Sequence, residues 1–159
     1  MAHPTILLVD DEPAVREGLR LTLRPAGYRI LEAGSGEQAL AVLQAEPVDL
    51  IVSDHLMPGM TGLQLLAHVR DRFPDTARIM LTGHADLDTA VRAINEGEIY
   101  RFLSKPCDRL ELQVTVHLAL ERLELERENR RLLAVVRSRP ELASELMALQ
   151  KLCRTLVVR

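Results

Sequence analysis

Three acids, one hydroxyl and one ammonium recur in this 159-residue chain at places where they could act together. Asp10-Asp11, just ahead of Glu12, closes one short apolar run, Asp54 closes a second and Thr82-Gly83 a third, while Lys105-Pro106 follows a fourth, the three acids being Asp10, Asp11 and Asp54. Clustered carboxylates repel one another and call for a cation. Hard oxygen ligands with room for water and phosphate oxygens suit Mg²⁺. A carboxylate held beside such an ion stays ionised and can attack phosphorus, forming an aspartyl-phosphate. The metal, an ammonium and a hydroxyl would then neutralise charge on the oxygens of the transferring group. Taken singly, none of these residues carries the inference, because acids at strand ends also serve simply to cap the next helix. Their joint placement carries it. The chain holds 18 arginines and only two lysines, Lys105 and Lys151, so the lysine at 105 reads as chosen for its compact ammonium.

The elements that must position these groups follow from the hydrophobic pattern. Residues 5–10, 28–33, 48–53, 77–82 and 99–103 read as short, mostly β-branched and aliphatic strands. Between them Val15, Leu19 and Leu23, then Ala39, Leu40 and Leu43, then Leu63, Leu66 and Val69, then Leu87, Ala90, Val91 and Ile94 mark helices. Pro13 suits a first helical turn, Ser35 an N-cap, and the segment from Met57 to Gly62 a loop. Strands alternating with helices predict a doubly wound α/β fold, a parallel sheet covered on both faces. In such a sheet ligands bind outside the carboxyl ends of the strands. That is where the acids, Thr82 and Lys105 fall.

Composition excludes several classes. At 47% hydrophobic and 27% charged residues the chain is neither disordered nor membrane-spanning, and its longest apolar runs are four or five residues. With 3% aromatics, aliphatic side chains must fill the core. Cys107 and Cys153 offer no disulfide framework and no metal-ligand spacing, and the start of the chain lacks the pattern of a secretory signal, so a cytoplasmic protein is expected. The net charge of −3 divides into −5 for residues 1–107 and +2 for residues 108–159. Basic residues of the second part are interleaved with glutamates, which argues against direct nucleic-acid binding.

Leu8-Val9-Asp10-Asp11-Glu12-Pro13, Asp54-His55-Leu56-Met57-Pro58-Gly59, Leu81-Thr82-Gly83 and Phe102-Leu103-Ser104-Lys105-Pro106 together resemble the receiver domain of two-component response regulators, over about residues 4–121. The resemblance implies a flavodoxin-like (βα)5 fold with strand order 2-1-3-4-5. It implies that a sensor histidine kinase donates a phosphoryl group to Asp54. Mg²⁺ would be bound by Asp11, Asp54 and the backbone carbonyl of Leu56, with Asp10 helping through water. Thr82 and Lys105 would contact the phosphoryl oxygens, and a cis bond before Pro106 would aim the ammonium. The family's switch would couple Thr82 to Phe102. Tyr100, two residues before Phe102, should share its sheet face. By the same resemblance Leu56 and His84 would flank the site at positions that tune phosphoryl lifetime in this family, and His55 is read as packed or solvated because Mg²⁺ disfavours imidazole.

After Pro106 a receiver needs one helix of about a dozen residues, yet this chain continues for 53. From Asp108, a candidate cap, a helical pattern runs without Gly or Pro to Arg139, about 45 Å at 1.5 Å per residue. Leu112, Val116, Ala119 and Leu123 form a face able to pack on the sheet. A second stripe, Leu118, Leu125 and Leu132, recurs every seven residues and puts Asn129 at a coiled-coil a position, where a buried Asn fixes register. The expected organisation is a receiver domain over residues 1–121, a helical linker over 122–139 and a C-terminal helix over 140–159, read as the start of an output region. A homodimer through the linker is favoured over a helix folded back on its own domain. The chemistry would be self-catalysed and the role signalling rather than enzymatic. Two alternatives remain open. One is a receiver-like interaction module indifferent to phosphorylation. The other is a metal-dependent phosphohydrolase with an aspartyl nucleophile, although Asp54 lacks the second acid two residues on that its general acid/base step needs.

Overall fold

A computed structural model describes residues 3–83, 86–96 and 99–157. Five parallel strands, β1 (Thr5–Val9), β2 (Arg29–Ala33), β3 (Leu50–Asp54), β4 (Ala77–Thr82) and β5 (Arg101–Ser104), form one sheet in the order β2-β1-β3-β4-β5. The fold is flavodoxin-like. Helices α1 (Pro13–Leu23), α2 (Gly36–Ala45), α3 (Gly62–Arg72) and α4 (Leu87–Asn95) connect the strands, followed by a long α5 (Arg109–Ser138) and α6 (Pro140–Val157). The chain divides into two compact units, Met1–Leu123 and Glu124–Arg159.

β1 and β3 are buried along their whole length, as central strands covered on both faces must be. Because successive side chains alternate, Leu7, Val9, Ile51 and Met80 pack with Leu43, Leu65, Leu66 and Ala90 of α2, α3 and α4. Ile6, Leu8, Val52, Leu81 and Leu103 pack on the other face with Leu19 and Leu23 of α1 and Leu112, Val116 and Leu120 of α5. The two cores are almost wholly aliphatic, as the scarcity of aromatics requires.

Local chemistry sets the helix ends. Pro13 opens α1 at a position that needs no amide donor. Ser35 caps α2 by accepting from the Gln38 amide, and the Asp108 carboxylate accepts from the Glu111 amide at the start of α5. Gly27, at φ 79°, closes the short 3₁₀ turn Arg24–Ala26 that follows α1. α3 begins with a reciprocal capping box between Thr61 and Gln64.

Two strand starts differ from the sequence pattern by two residues, and the other strand boundaries by at most one. β3 starts at Leu50 rather than residue 48, because the Val48 carbonyl accepts the Thr76 hydroxyl at 2.8 Å instead of joining the ladder. β5 starts at Arg101 rather than residue 99, because the Ile99 amide donates to the Ala93 carbonyl at the end of α4. The second shift corrects the placement of Tyr100. Lying ahead of the strand, Tyr100 escapes its alternation and packs into the α1/α5 core, whereas Phe102 packs on the α2/α3/α4 core. Arg122 covers the Tyr100 ring with its guanidinium 4.9 Å from the centroid.

Candidate functional site

The carboxyl ends of β1, β3, β4 and β5 meet along one edge of the sheet. Asp10, directly after β1, is fully buried and held on all sides. Its amide donates to the Ala33 carbonyl, one carboxylate oxygen accepts from the Glu12 amide at 2.9 Å, and the other accepts from Lys105 Nζ at 3.1 Å. Asp54, the last residue of β3, is buried as well and meets the same ammonium, Lys105 Nζ to Oδ1 at 3.0 Å. Lys105 therefore bridges two acids from neighbouring strands. Asp11 is exposed and, among the described residues, makes no hydrogen bond or ion pair of its own. One carboxylate oxygen from each of Asp10, Asp11 and Asp54 lies within 4.8 Å of the other two. That spacing and an all-oxygen donor set fit a hard divalent cation.

The electrostatics follow from burial. Desolvation pushes the Asp54 pKa above the ordinary carboxylate value, the Asp10 charge adds to this, and Lys105 offsets part of it. Burial works against the Lys105 ammonium, but its hydrogen bonds to Asp54 and Asp10 prevail and its pKa is raised. A second positive charge at this edge would favour the ionised form of Asp54.

The remaining sequence-predicted residues take different places. Thr82 ends β4 and is fully buried, with its hydroxyl donating to the Gly83 carbonyl at 3.2 Å. Its own carbonyl accepts the Lys105 amide at 2.9 Å, so the β4 end helps to place the lysine. Phe102 pairs in register with Met80 and is half-buried. The Lys105–Pro106 bond is cis. Leu56 follows Asp54 in the loop with its side chain 64% exposed. His55 is buried and its Nδ1 has no hydrogen-bond partner. His84 lies outside the described residues.

Two residues at this edge escaped the sequence reading. Gly62 opens α3, and a Cβ there would stand 2.1 Å from the Asp54 carbonyl oxygen, so only glycine lets α3 start against the end of β3. Its amide donates to the His55 carbonyl at 2.8 Å, fixing the turn that carries Asp54. Arg16 of α1 donates to the carbonyl oxygen of Asp10 and pairs with Glu32 of β2 at 3.4 Å. Thr61-x-x-Gln64 was a legible helix-start signal beside Gly62. Nothing in the sequence set Arg16 apart from the other arginines.

Residues 6–117 match the response regulator receiver domain family. The chain is 38% identical over 128 residues to the hydrogenase transcriptional regulatory protein HoxA of Cupriavidus necator, covering 80% of this chain and 26% of that protein. It is also 38% identical over 144 residues to the C4-dicarboxylate transport transcriptional regulatory protein DctD of Rhizobium meliloti, covering 91% of this chain and 30% of DctD. Thus the chain spans between a quarter and a third of the length of these curated relatives. Among solved structures, the signal receiver domain of an HD domain-containing protein from Pseudomonas fluorescens Pf-5 superposes with a TM-score of 0.75 at 44% identity, over 80% of this chain and 94% of that one. By its sheet order, the acids and ammonium gathered at one sheet edge and this family match, the chain belongs to the response regulator receiver domains.

Proposed function

We propose that this chain is the receiver of a cytoplasmic two-component regulator, accepting a phosphoryl group on Asp54 from a sensor histidine kinase. The observation that carries the reading is the Lys105 ammonium held between Asp54 and Asp10, at 3.0 and 3.1 Å, beside the exposed Asp11. A Mg²⁺ ion bound by Asp11, Asp54 and the Leu56 backbone carbonyl would supply positive charge that keeps Asp54 ionised and screens the incoming phosphoryl oxygens. Asp10 would act through water, in keeping with a carboxylate whose two oxygens already serve Glu12 and Lys105.

The transfer is balanced within the two proteins. An Asp54 carboxylate oxygen attacks the phosphorus of a phosphohistidine, the O–P bond forms as the N–P bond breaks, and the imidazole leaves with its electron pair. Lys105 remains beside Asp54 and neutralises charge on the new phosphoryl group. The Thr82 hydroxyl turns from the Gly83 carbonyl towards a phosphoryl oxygen, and the space it leaves admits a rearrangement of Phe102. Those two movements would alter the surface around β4, β5 and α5. The molecule is then its own site of modification rather than a turnover enzyme. We further propose that residues 1–121 form the receiver, residues 122–139 a linker and residues 140–159 the approach to an output region, with two copies pairing through Leu118 near the end of the receiver and Leu125, Asn129 and Leu132 of the linker. Similarity to proteins named as transcriptional regulators favours a gene-regulatory output.

Incubation with acetyl phosphate and Mg²⁺, followed by intact-mass measurement, tests the central step. A phosphoryl adduct on the wild type that is absent from Asp54→Asn and from an EDTA-treated sample is expected. An adduct that persists in Asp54→Asn would place the chemistry elsewhere.

A further inference from the structure

Asp10 and Asp11 are neighbours in the chain but are held by opposite means. Asp10 is tied through its amide, both carboxylate oxygens and its carbonyl. The Asp11 carboxylate, exposed and without a partner among the described residues, is aimed by its backbone alone. The peptide that sets this aim joins Asp10 to Asp11, and its carbonyl oxygen accepts from Arg16 Nη1. Arg16 is itself braced. Its Nε, buried and without a hydrogen-bond partner, lies 3.4 Å from the Glu32 carboxylate of β2 as an ion pair, and its side chain is only 18% exposed. Its Nη1 also lies under Gly34, where a Cβ would come within 3.4 Å of it. The guanidinium thus spans α1, the end of β1 and the β2 edge, and its fork can serve an acid and a carbonyl at once.

We propose that Arg16 is a positioning residue for divalent-cation binding. It locks the Asp10–Asp11 peptide, and thereby the direction of the Asp11 carboxylate, without touching the ion. This rests on the reading of the acidic edge as a cation site. Partners one step removed from a metal ligand orient it, and their loss costs about 10-fold or more in affinity. An arginine serving only the fold would change stability and leave the ion's affinity, and its coupling to Asp11, untouched.

Mn²⁺ titration of the full chain, with free ion followed by electron paramagnetic resonance, is the test. Arg16→Met should weaken binding about tenfold relative to wild type. In an Asp11→Asn background the same change should have little further effect, because the carboxylate it aims is gone. Arg16→Lys, which keeps one donor and the charge but not the fork, should fall between wild type and Arg16→Met, and it serves alone if Arg16→Met does not fold. Binding by these variants within about twofold of a wild type that binds Mn²⁺, or an equal loss in the Asp11→Asn background, would overturn the role of Arg16 alone. A wild type that binds no Mn²⁺ would remove the cation reading and this proposal with it.

Discussion

Asp54 is a carboxylate that burial makes reluctant to ionise and that one shared ammonium only partly relieves. A pKa raised on folding means that the folded chain binds this proton more tightly than the unfolded chain does. The resulting stability is present in acid and is lost as pH rises through the raised value. At neutral pH without metal the ionised Asp54 therefore opposes folding. Asp54→Asn should raise the melting temperature by a few degrees at neutral pH in EDTA, and the gain should shrink in acid, as read by calorimetry across pH. Cys107 offers a second check at this scale. Burial first, and the nearby Glu111 and Asp108 charges second, push its thiol up to about 11. At mildly alkaline pH a maleimide or iodoacetamide should label the exposed Cys153 well before Cys107, resolved by peptide mass spectrometry. Asp10, Asp54, Thr82 and Lys105 were legible in the sequence because each closes or follows an apolar run, which fixes its place at a sheet edge. Arg16 was not, since its role depends on which carbonyl α1 happens to face, and spacing along one helix does not report that.

Among the elements, the junction between β3 and α3 is close enough to admit only glycine at its start. Gly62→Ala would drive a methyl group into the Asp54 carbonyl, against backbone that cannot swing aside. It should cost at least about 2 kcal/mol by urea unfolding, more than an ordinary surface Gly→Ala change. An unchanged midpoint would mean that the β3–α3 turn has slack that the packing does not show. Element types and order were readable from periodicity, since five apolar runs separated by amphipathic helices admit few topologies. Their ends were less so. Val48 and Ile99 look like strand residues by composition, yet the Thr76 hydroxyl and the Ala93 carbonyl claim their backbone groups. Tyr100 shows how far one such shift propagates, for a residue just ahead of a strand is free to turn to the opposite core.

At the level of the whole chain, the first compact unit closes at Leu123, which is buried in its core, and Arg122 is occupied over Tyr100. A truncation meant to isolate the receiver should therefore cut after Leu123. Leu125 and Leu132 stay 66% and 55% exposed. If they form a stalk between two copies, residues 1–123 should be monomeric by light scattering while the full chain is dimeric, and Leu125→Glu with Leu132→Glu should reproduce the monomer in the full chain. No helix among the described residues is long and apolar enough to cross a membrane. The doubly held lysine has one last consequence. Since the ammonium already stands against Asp54 before any donor arrives, no slow reorganisation of the resting chain should precede phosphorylation. Its initial velocity should climb in proportion to acetyl phosphate without levelling off early, and a plateau at low donor would reveal a hidden gating motion.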